Sequence, residues 1–183
     1  MKTETTVINI KSLVIYQNII ISLVFFIPFL ISGPQLLTGT LVNCLLILGT
    51  KFVDKKNHII VAVIPSVAAV LNGLIFGKFT PFLVFFLPFI WLGNLVFIKS
   101  IIYFRNNLSI PLSIFFGLTL KTFVLYFSAL IYFKFSLVPE IFLSAMGVFQ
   151  LITGVMGGIM FLGINKIIKN ENLKIKNSMK IEN

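Results

Sequence analysis

Six stretches of mainly apolar residues recur along this chain of 183 residues, each about long enough to cross a lipid bilayer as a helix. A membrane-spanning helix needs about 20 such residues, since each residue rises about 1.5 Å along the helix axis. The stretches cover residues 12–32, 34–50, 58–76, 80–104, 109–133 and 141–164. The sequence therefore predicts an all-α, polytopic membrane protein, folded as a compact bundle of six transmembrane helices.

The six segments divide the chain into three parts. Residues 1–11 are predicted to form a cytoplasmic N-terminus, 12–164 the transmembrane domain and 165–183 a basic cytoplasmic tail. The first segment is too long for the apolar region of a cleaved signal peptide, so we interpret it as a helix of the folded protein. Segment 34–50 is the shortest and carries several polar residues, which leaves a tilted, broken or re-entrant helix open.

The composition excludes a soluble domain and a disordered chain. Hydrophobic residues make up 58% of the sequence and charged residues 11%, and the mean hydropathy is +1.06. Soluble domains carry about 25% charged residues, and disordered chains are poor in hydrophobic ones. One Cys and one His leave no disulfide framework and no zinc-binding pattern. We therefore expect no metal and no cofactor.

The distribution of basic residues predicts the orientation in the membrane. Successive loops of a six-helix chain lie on alternate sides, and 12 of the 15 Lys and Arg residues then fall on one side. These are Lys2, Lys11, Lys51, Lys55, Lys56, Lys99, Arg105, Lys166, Lys169, Lys174, Lys176 and Lys180. The other side holds Lys78 and Lys134, and Lys121 lies within the fifth segment. Because cytoplasmic loops carry the excess of Lys and Arg, we expect a plasma-membrane protein with both termini in the cytoplasm. The net charge of +10 then belongs to a membrane face, and no nucleic-acid partner is expected.

Small residues on two segments predict close contacts between helices, because backbones approach each other where side chains are short. The residues concerned are Ala62, Ser66, Ala69 and Gly73 in the third segment, and Gly147, Gly154 and Gly158 in the sixth. Gly154 and Gly158 form a GxxxG pair. These residues are expected either to pack within the bundle or to dock another membrane subunit.

Polar residues inside the apolar segments are the candidates for a binding site. Each costs free energy in a bilayer unless it is paired or faces an aqueous cavity. The residues that we expect to contact a substrate are Gln35, Asn72, Trp91, Asn94, Lys121 and Gln150. The predicted topology places the first two near the external ends of their helices and Asn94, Lys121 and Gln150 nearer mid-depth. A cavity open to the outside would collect most of them. For Asn43 or Asn94 alone, a structural hydrogen bond between helices is the alternative.

Lys121 is the most informative of these residues. An ammonium group in the middle of an apolar helix must be paired, neutral or solvated. The five acidic residues of the chain all lie in predicted loops or tails. Lys121 is therefore expected to contact a carbonyl group, water or an anionic ligand, unless its long side chain reaches the membrane surface.

The sequence carries little that could support catalysis. His58, the only histidine, lies at the predicted cytoplasmic edge, far in depth from any mid-membrane serine, and no segment contains a pair of acidic residues. No Walker motif or glycine-rich nucleotide loop is present, so the chain cannot drive ATP-dependent transport by itself. We expect that the protein is not an enzyme.

Three runs of residues resemble, in their order and spacing, segments of the S components of energy-coupling factor (ECF) transporters. The runs are Pro34–Asn43 (PQLLTGTLVN), Ile64–Ala69 (IPSVAA) and Pro88–Asn94 (PFIWLGN), and the resemblance covers approximately residues 12–164. It implies a compact six-helix, substrate-binding membrane subunit that captures a vitamin or related micronutrient. It also implies partners on other chains, namely a membrane coupling protein and two ABC ATPases.

The expected function is therefore substrate capture for an ECF-type ABC importer embedded in the lipid bilayer. In this interpretation Trp91 stacks on a planar ring of the small-molecule substrate, amide side chains contact its polar edge, and Lys121 contacts an anionic group. The main alternative is a membrane scaffold or assembly protein without a small-molecule substrate. A lipid-modifying membrane enzyme and a self-contained secondary transporter are two further alternatives.

Overall fold

The computed structural model describes the backbone of residues 2–31, 35–73 and 77–181 and the side chains of 14–31, 35–73 and 77–170. Within these ranges the fold is all-α, without a strand. The helices are α1 (Lys2–Leu30), α2 (Gln35–Phe52), α3 (His58–Asn72), α4 (Leu83–Phe104), α5 (Ile110–Lys134), α6 (Ile141–Met146) and α7 (Val148–Ile181). Short 3-10 helices at Lys55–Asn57 and Gly77–Phe82 precede α3 and α4.

The predicted sixth segment is divided into α6 and α7 by a break at Gly147. The backbone angles there are φ −105° and ψ −100°, outside the helical region. A Cβ atom at this position would lie 2.8 Å from the carbonyl oxygen of Leu143, which is too close for any side chain. The break therefore falls at a glycine because only glycine leaves room for the turn.

Two other segments differ from their expected extent. Segment 34–50, for which the sequence allows a tilted, broken or re-entrant helix, forms the continuous helix α2 from Gln35 onward. The predicted tail, 165–183, is helical as far as Ile181, because α7 continues without interruption beyond its apolar part. At the other end of the chain α1 already begins at Lys2.

The helices form a closed ring in which neighbours pack in the order α1, α3, α4, α5, α7 and α2. α2 is displaced toward the centre of the ring, since it also packs against α3 and α4. Half of its 18 residues are buried. The short helix α6 lies against α5 and α7. This arrangement lets side chains from all parts of the chain meet around α2.

Hydrogen bonds between helices identify the two ends of the bundle. At one end, Lys51 Nζ donates to Asn165 Oδ1 at 2.7 Å, and Arg105 donates to the carbonyl oxygen of Thr50 at 3.3 Å. At the other end, the Tyr132 hydroxyl donates to the carbonyl oxygen of Phe85 at 3.1 Å. We call these the basic end and the distal end.

Four helical stretches are long and apolar enough to cross a membrane: Gln35–Phe52, Gly77–Phe104, Ile110–Lys134 and Ile141–Asn170. The described apolar part of α1 spans only Val14–Leu30, and α3 has 15 residues. Large apolar side chains cover much of the outer surface of the ring, and Phe123, for example, is 67% exposed. Soluble proteins rarely expose contiguous apolar surface on this scale, so the outside of the ring is typical of a surface in contact with lipid.

Most of the small residues singled out from the sequence lie at contacts within the chain. Gly154 and Gly158 are buried against Leu118 and Ile114 of α5, so the GxxxG pair faces inward. The remaining buried members of the set are Ala62, Ser66, Ala69 and Gly147. A docking surface made of these glycines is therefore already occupied by the chain's own helices.

Gly73 does not share this environment. It is exposed, and a Cβ atom built there would have no neighbour within 4 Å among the described residues. Its φ of 78° is left-handed, and its N–H donates to the carbonyl oxygen of Ala69 at 3.3 Å. Gly73 thus ends α3 as a C-terminal cap, for which glycine is favoured because it lacks a Cβ atom.

Gly157, which was not singled out from the sequence, lies at a very close helix contact. A Cβ atom on Gly157 would lie 2.8 Å from the backbone nitrogen of Cys44 and 2.8 Å from the carbonyl oxygen of Thr40. Both atoms belong to the backbone of α2 and cannot move without the helix. We expect Gly157→Ala to push α2 and α7 apart and to lower the free energy of unfolding by about 1–3 kcal/mol.

Denaturant-induced unfolding in mild detergent, followed by circular dichroism, measures this effect. Gly163→Ala is the matched control, because Gly163 lies in the same helix and a Cβ atom built there has no neighbour within 4 Å among the described residues. Alanine there should leave stability unchanged or raise it slightly through its higher helix propensity. Equal stability of the two variants would contradict the close contact.

Candidate ligand-binding site

A cavity of about 100 Å³ lies inside the bundle, toward the distal end. Each of the seven helices contributes to its wall. Much of the wall is apolar, as at Pro28, Val42 and Leu125. The polar side chains in the wall are Gln35, Thr38, Asn43, Ser66, Asn94, Lys121 and Gln150. An apolar wall with a few polar groups and one charge is typical of a small-molecule site.

Lys121, near the middle of α5, provides the positive charge in this wall. Its side chain is only 3% exposed, so it does not extend to the surface. The stem passes over Gly93 of α4, where a Cβ atom would lie 3.5 Å from Lys121 Cγ, and Nζ lies 5.4 Å from the centre of the Phe97 ring. Such a ring face offers a weak attraction to a cation. The two acidic residues whose side chains are described, Asp54 and Glu140, lie outside the helices.

Asn43 of α2 is the polar partner of Lys121. Lys121 Nζ donates to Asn43 Oδ1 at 2.7 Å, and Asn43 Nδ2 donates to Thr153 Oγ1 at 3.2 Å. The Thr153 hydroxyl in turn donates to the carbonyl oxygen of Phe149 at 2.8 Å. This chain of hydrogen bonds joins α5, α2 and α7 in the buried part of the bundle. It satisfies one of the three ammonium donors of Lys121 and orients the Asn43 amide with its oxygen toward the charge.

Asn94 and Trp91 connect α4 to α3. Asn94 Nδ2 donates to the carbonyl oxygen of Ala62 at 2.9 Å, and Trp91 Nε1 donates to Ser66 Oγ at 2.8 Å. Asn94 and Ser66 line the cavity, whereas Trp91 lies behind Ser66 and is not part of the wall. Trp91 thus reaches the cavity only through its hydrogen bond to Ser66, and its stacking on a ligand stays a prediction.

Gln35 and Gln150 lie in the wall near the short helix α6. Gln35 Nε2 donates to the carbonyl oxygen of Ala145 at 3.1 Å. Ala145 is in the last turn of α6, where the carbonyl groups have no N–H partner within the helix. Gln35 therefore caps α6 and holds it against α2. The side-chain amide of Gln150 makes no hydrogen bond to the described part of the chain, which leaves its donors and acceptor for water or a ligand.

Asn72 is a predicted site residue that lies outside this arrangement. It is the last residue of α3, and Nδ2 donates to the carbonyl oxygen of Phe29 in α1 at 2.7 Å. Asn72 is not part of the cavity wall. Of the six predicted residues, the structure thus brings Gln35, Asn94, Lys121 and Gln150 together around one cavity, and places Trp91 behind the wall and Asn72 at the distal end.

As the structure shows it, the cavity could hold part of a ligand, such as a carboxylate on a short carbon body. Its volume of about 100 Å³ is somewhat below that of an engineered apolar cavity of about 150 Å³ that binds benzene. An anionic group near Lys121 would gain a charge-assisted hydrogen bond, and the amides of Asn94 and Gln150 would face the polar edge of the same molecule. The apolar wall would cover the rest of the ligand. No acid–base pair suited to turnover is present among the residues that line the cavity.

Three residues of the cavity wall, Thr38, Asn43 and Ser66, are not among the substrate contacts expected from the sequence. Their positions in the sequence give some indication, because each is a polar side chain within an apolar segment. Asn43 and Ser66 lie about midway along their segments, and Thr38 lies about one helical turn from Gln35. A choice among them required the rotation of each helix about its axis, which determines which side chains face the centre.

Comparison of the chain with known proteins does not identify its family: no family model, no curated protein and no solved structure matches it.

Proposed function

We propose that this chain is the substrate-capture subunit of an ECF-type ABC importer, S component-like, and binds a vitamin or related micronutrient in the cavity around Lys121. The single observation that carries this proposal is the environment of Lys121. A buried ammonium group in contact with a neutral amide, without a carboxylate partner in the described part of the chain, favours an anionic occupant. The three runs that resemble S components contribute Gln35, Asn43, Ser66 and Asn94 to the same cavity wall.

The scaffold alternative receives less support. It requires glycine faces that are available to another subunit, but Gly154 and Gly158 pack against α5, and Gly147 is buried beside Tyr126. The energy for import would come from other chains, a membrane coupling protein and two ABC ATPases, because the sequence carries no nucleotide-binding motif.

Native mass spectrometry of the protein, purified in mild detergent from its own host, tests the proposal. The expected result is one anionic small molecule per chain, well below the mass of a lipid, together with the coupling protein and the ATPases in a fraction of the complexes. If only lipids accompany the chain and no ATPase is found in several mild detergents, the capture function is wrong and the scaffold function becomes the better explanation.

The proposed topology has six membrane crossings and both termini in the cytoplasm. It rests on the alternating direction of successive membrane-spanning helices along the chain and on the collection of basic residues at the basic end. Cys44, the only cysteine, is buried, so single-cysteine variants can be made in a Cys44→Ala background. Lys134→Cys, at the distal end, should react with a membrane-impermeant maleimide on intact cells. Lys56→Cys should react only after the membrane is permeabilised, and the reverse pattern would invert the topology.

A further inference from the structure

A second cavity, of about 500 Å³, opens at the basic end where α2, α4, α5 and α7 separate. We call it the basic groove. Its floor is apolar and buried, as at Ile47 and Phe161. Its rim carries three exposed cationic side chains, Lys51, Arg105 and Lys169. No acidic residue is among those that line the groove. The groove thus combines apolar surface with an uncompensated positive charge.

Two of the three cationic side chains of the rim are held in place by hydrogen bonds within the chain. Lys51 Nζ donates to Asn165 Oδ1 at 2.7 Å, and Arg105 Nη1 donates to the carbonyl oxygen of Thr50 at 3.3 Å. An ammonium group has three donors and a guanidinium group five, so each retains donors for another partner. Because like charges at one rim repel each other, an anion bound between them would relieve the repulsion and accept several charge-assisted hydrogen bonds.

An apolar furrow of about 200 Å³ runs beside the groove between α5 and α7. It is lined by residues such as Pro111, Ile114, Val155 and Ile159, and begins at Pro111, the neighbour of Ile110 in the wall of the groove. Val155 and Ile159 are exposed on the outer face of the bundle, where acyl chains would contact the protein. A charged site at the helix ends is thus followed, along the same two helices, by an apolar channel open to the outside.

We propose that the basic groove binds one anionic phospholipid, with its phosphate group between Lys51, Arg105 and Lys169 and an acyl chain along the furrow. A planar guanidinium group such as that of Arg105 suits the oxygen atoms of a phosphate group, and basic residues near a membrane surface attract anionic lipids. The furrow favours a lipid over a free phosphate ion, because an acyl chain can bury apolar surface there and an ion cannot.

Native mass spectrometry of the delipidated full-length protein tests this site with three probes: dioleoylphosphatidylglycerol, dioleoylphosphatidylcholine and inorganic phosphate. Wild-type protein should bind one molecule of the added phosphatidylglycerol, about tenfold or more tightly than phosphatidylcholine, because only phosphatidylglycerol has a net negative charge. Lys51→Gln/Arg105→Gln should abolish this preference. Lys78→Gln/Lys134→Gln removes two exposed cations at the distal end and should retain it.

Each other outcome contradicts the proposal. Equal binding of the two lipids by wild-type protein, or an unchanged preference in the groove variant, would show that the groove does not select the lipid. Displacement of phosphatidylglycerol by an equal concentration of inorganic phosphate would assign the site to a free anion. If the double variant does not fold, Lys169→Gln provides the same comparison, since the Lys169 side chain is exposed and makes no hydrogen bond within the described part of the chain.

Discussion

Replacement of Asn43 with leucine is expected to lower the free energy of unfolding by about 3 kcal/mol, although the two side chains are similar in size. Leucine would remove the oxygen that accepts the hydrogen bond from Lys121 and the nitrogen that donates to Thr153. The ammonium group would then be buried without its partner, and this unsatisfied charge causes most of the loss. Denaturant-induced unfolding in mild detergent measures the difference from the wild-type protein.

The matched comparison is the double variant Asn43→Leu/Lys121→Met, in which the charge is removed together with its partner. Two apolar residues of similar volume are often as stable in a protein interior as the polar pair that they replace. We therefore expect the double variant to recover most of the stability lost in Asn43→Leu. Wild-type stability of Asn43→Leu alone would show that Lys121 does not depend on this amide.

Replacement of Lys121 with methionine is expected to remove the proposed substrate while it leaves the fold intact. Methionine has a flexible, unbranched side chain that can follow the path of the lysine stem over Gly93. The anionic group would lose a charge-assisted hydrogen bond in a buried site, so the affinity should fall about 100-fold, which corresponds to about 2.7 kcal/mol. The amount of small molecule that accompanies the purified chain, measured by mass spectrometry, reports this loss.

Lys134→Met is the matched control for this experiment. It makes the same substitution at the exposed end of the same helix, away from the cavity wall. Its content of small molecule should equal that of the wild-type protein. If Lys121→Met retained as much small molecule as the wild-type protein, Lys121 would not be part of the site. The proposed role of the chain as an importer subunit would then be tested separately, by the presence of its partner subunits.

Sequence patterns predict the helices of this protein better than their contacts. The apolar segments and the charged breaks between them place α2, α4 and α5 within a few residues of their bounds, because length and hydropathy are local properties. The GxxxG pair is visible in the sequence, but whether Gly154 and Gly158 face another helix of the chain or a separate subunit depends on tertiary packing. The close contact at Gly157 could not be inferred for the same reason.

The candidate site shows the same division. Polar groups in apolar helices cost free energy unless they are paired or solvated, which is why four of the candidates could be selected from the sequence. These four, which line one cavity, are Gln35, Asn94, Lys121 and Gln150. The bond from Lys121 to Asn43 spans 78 residues of sequence and depends on the rotation of α5 relative to α2. That rotation results from the packing of all the helices and cannot be inferred from local sequence patterns. The break at Gly147 could not be predicted either, because many helices tolerate a single glycine. Here the backbone turns at Gly147, and the carbonyl oxygen of Leu143 lies too close for a side chain.

The hydrogen-bond chain from Lys121 through Asn43 to Thr153 also has a consequence for biosynthesis. A lysine at the centre of a helix adds about 2.5–3.5 kcal/mol to the free energy of insertion. α2 is made before α5, so in the proposed topology the Asn43 amide would already be within the membrane when Lys121 leaves the ribosome, whereas Thr153 would arrive last. We expect α5 to pass from the insertion machinery directly onto α2 and α4, without a stage in which it is surrounded by lipid. The hydrogen bond between Lys121 and Asn43 would then form first, and the one between Asn43 and Thr153 would follow when α7 is inserted.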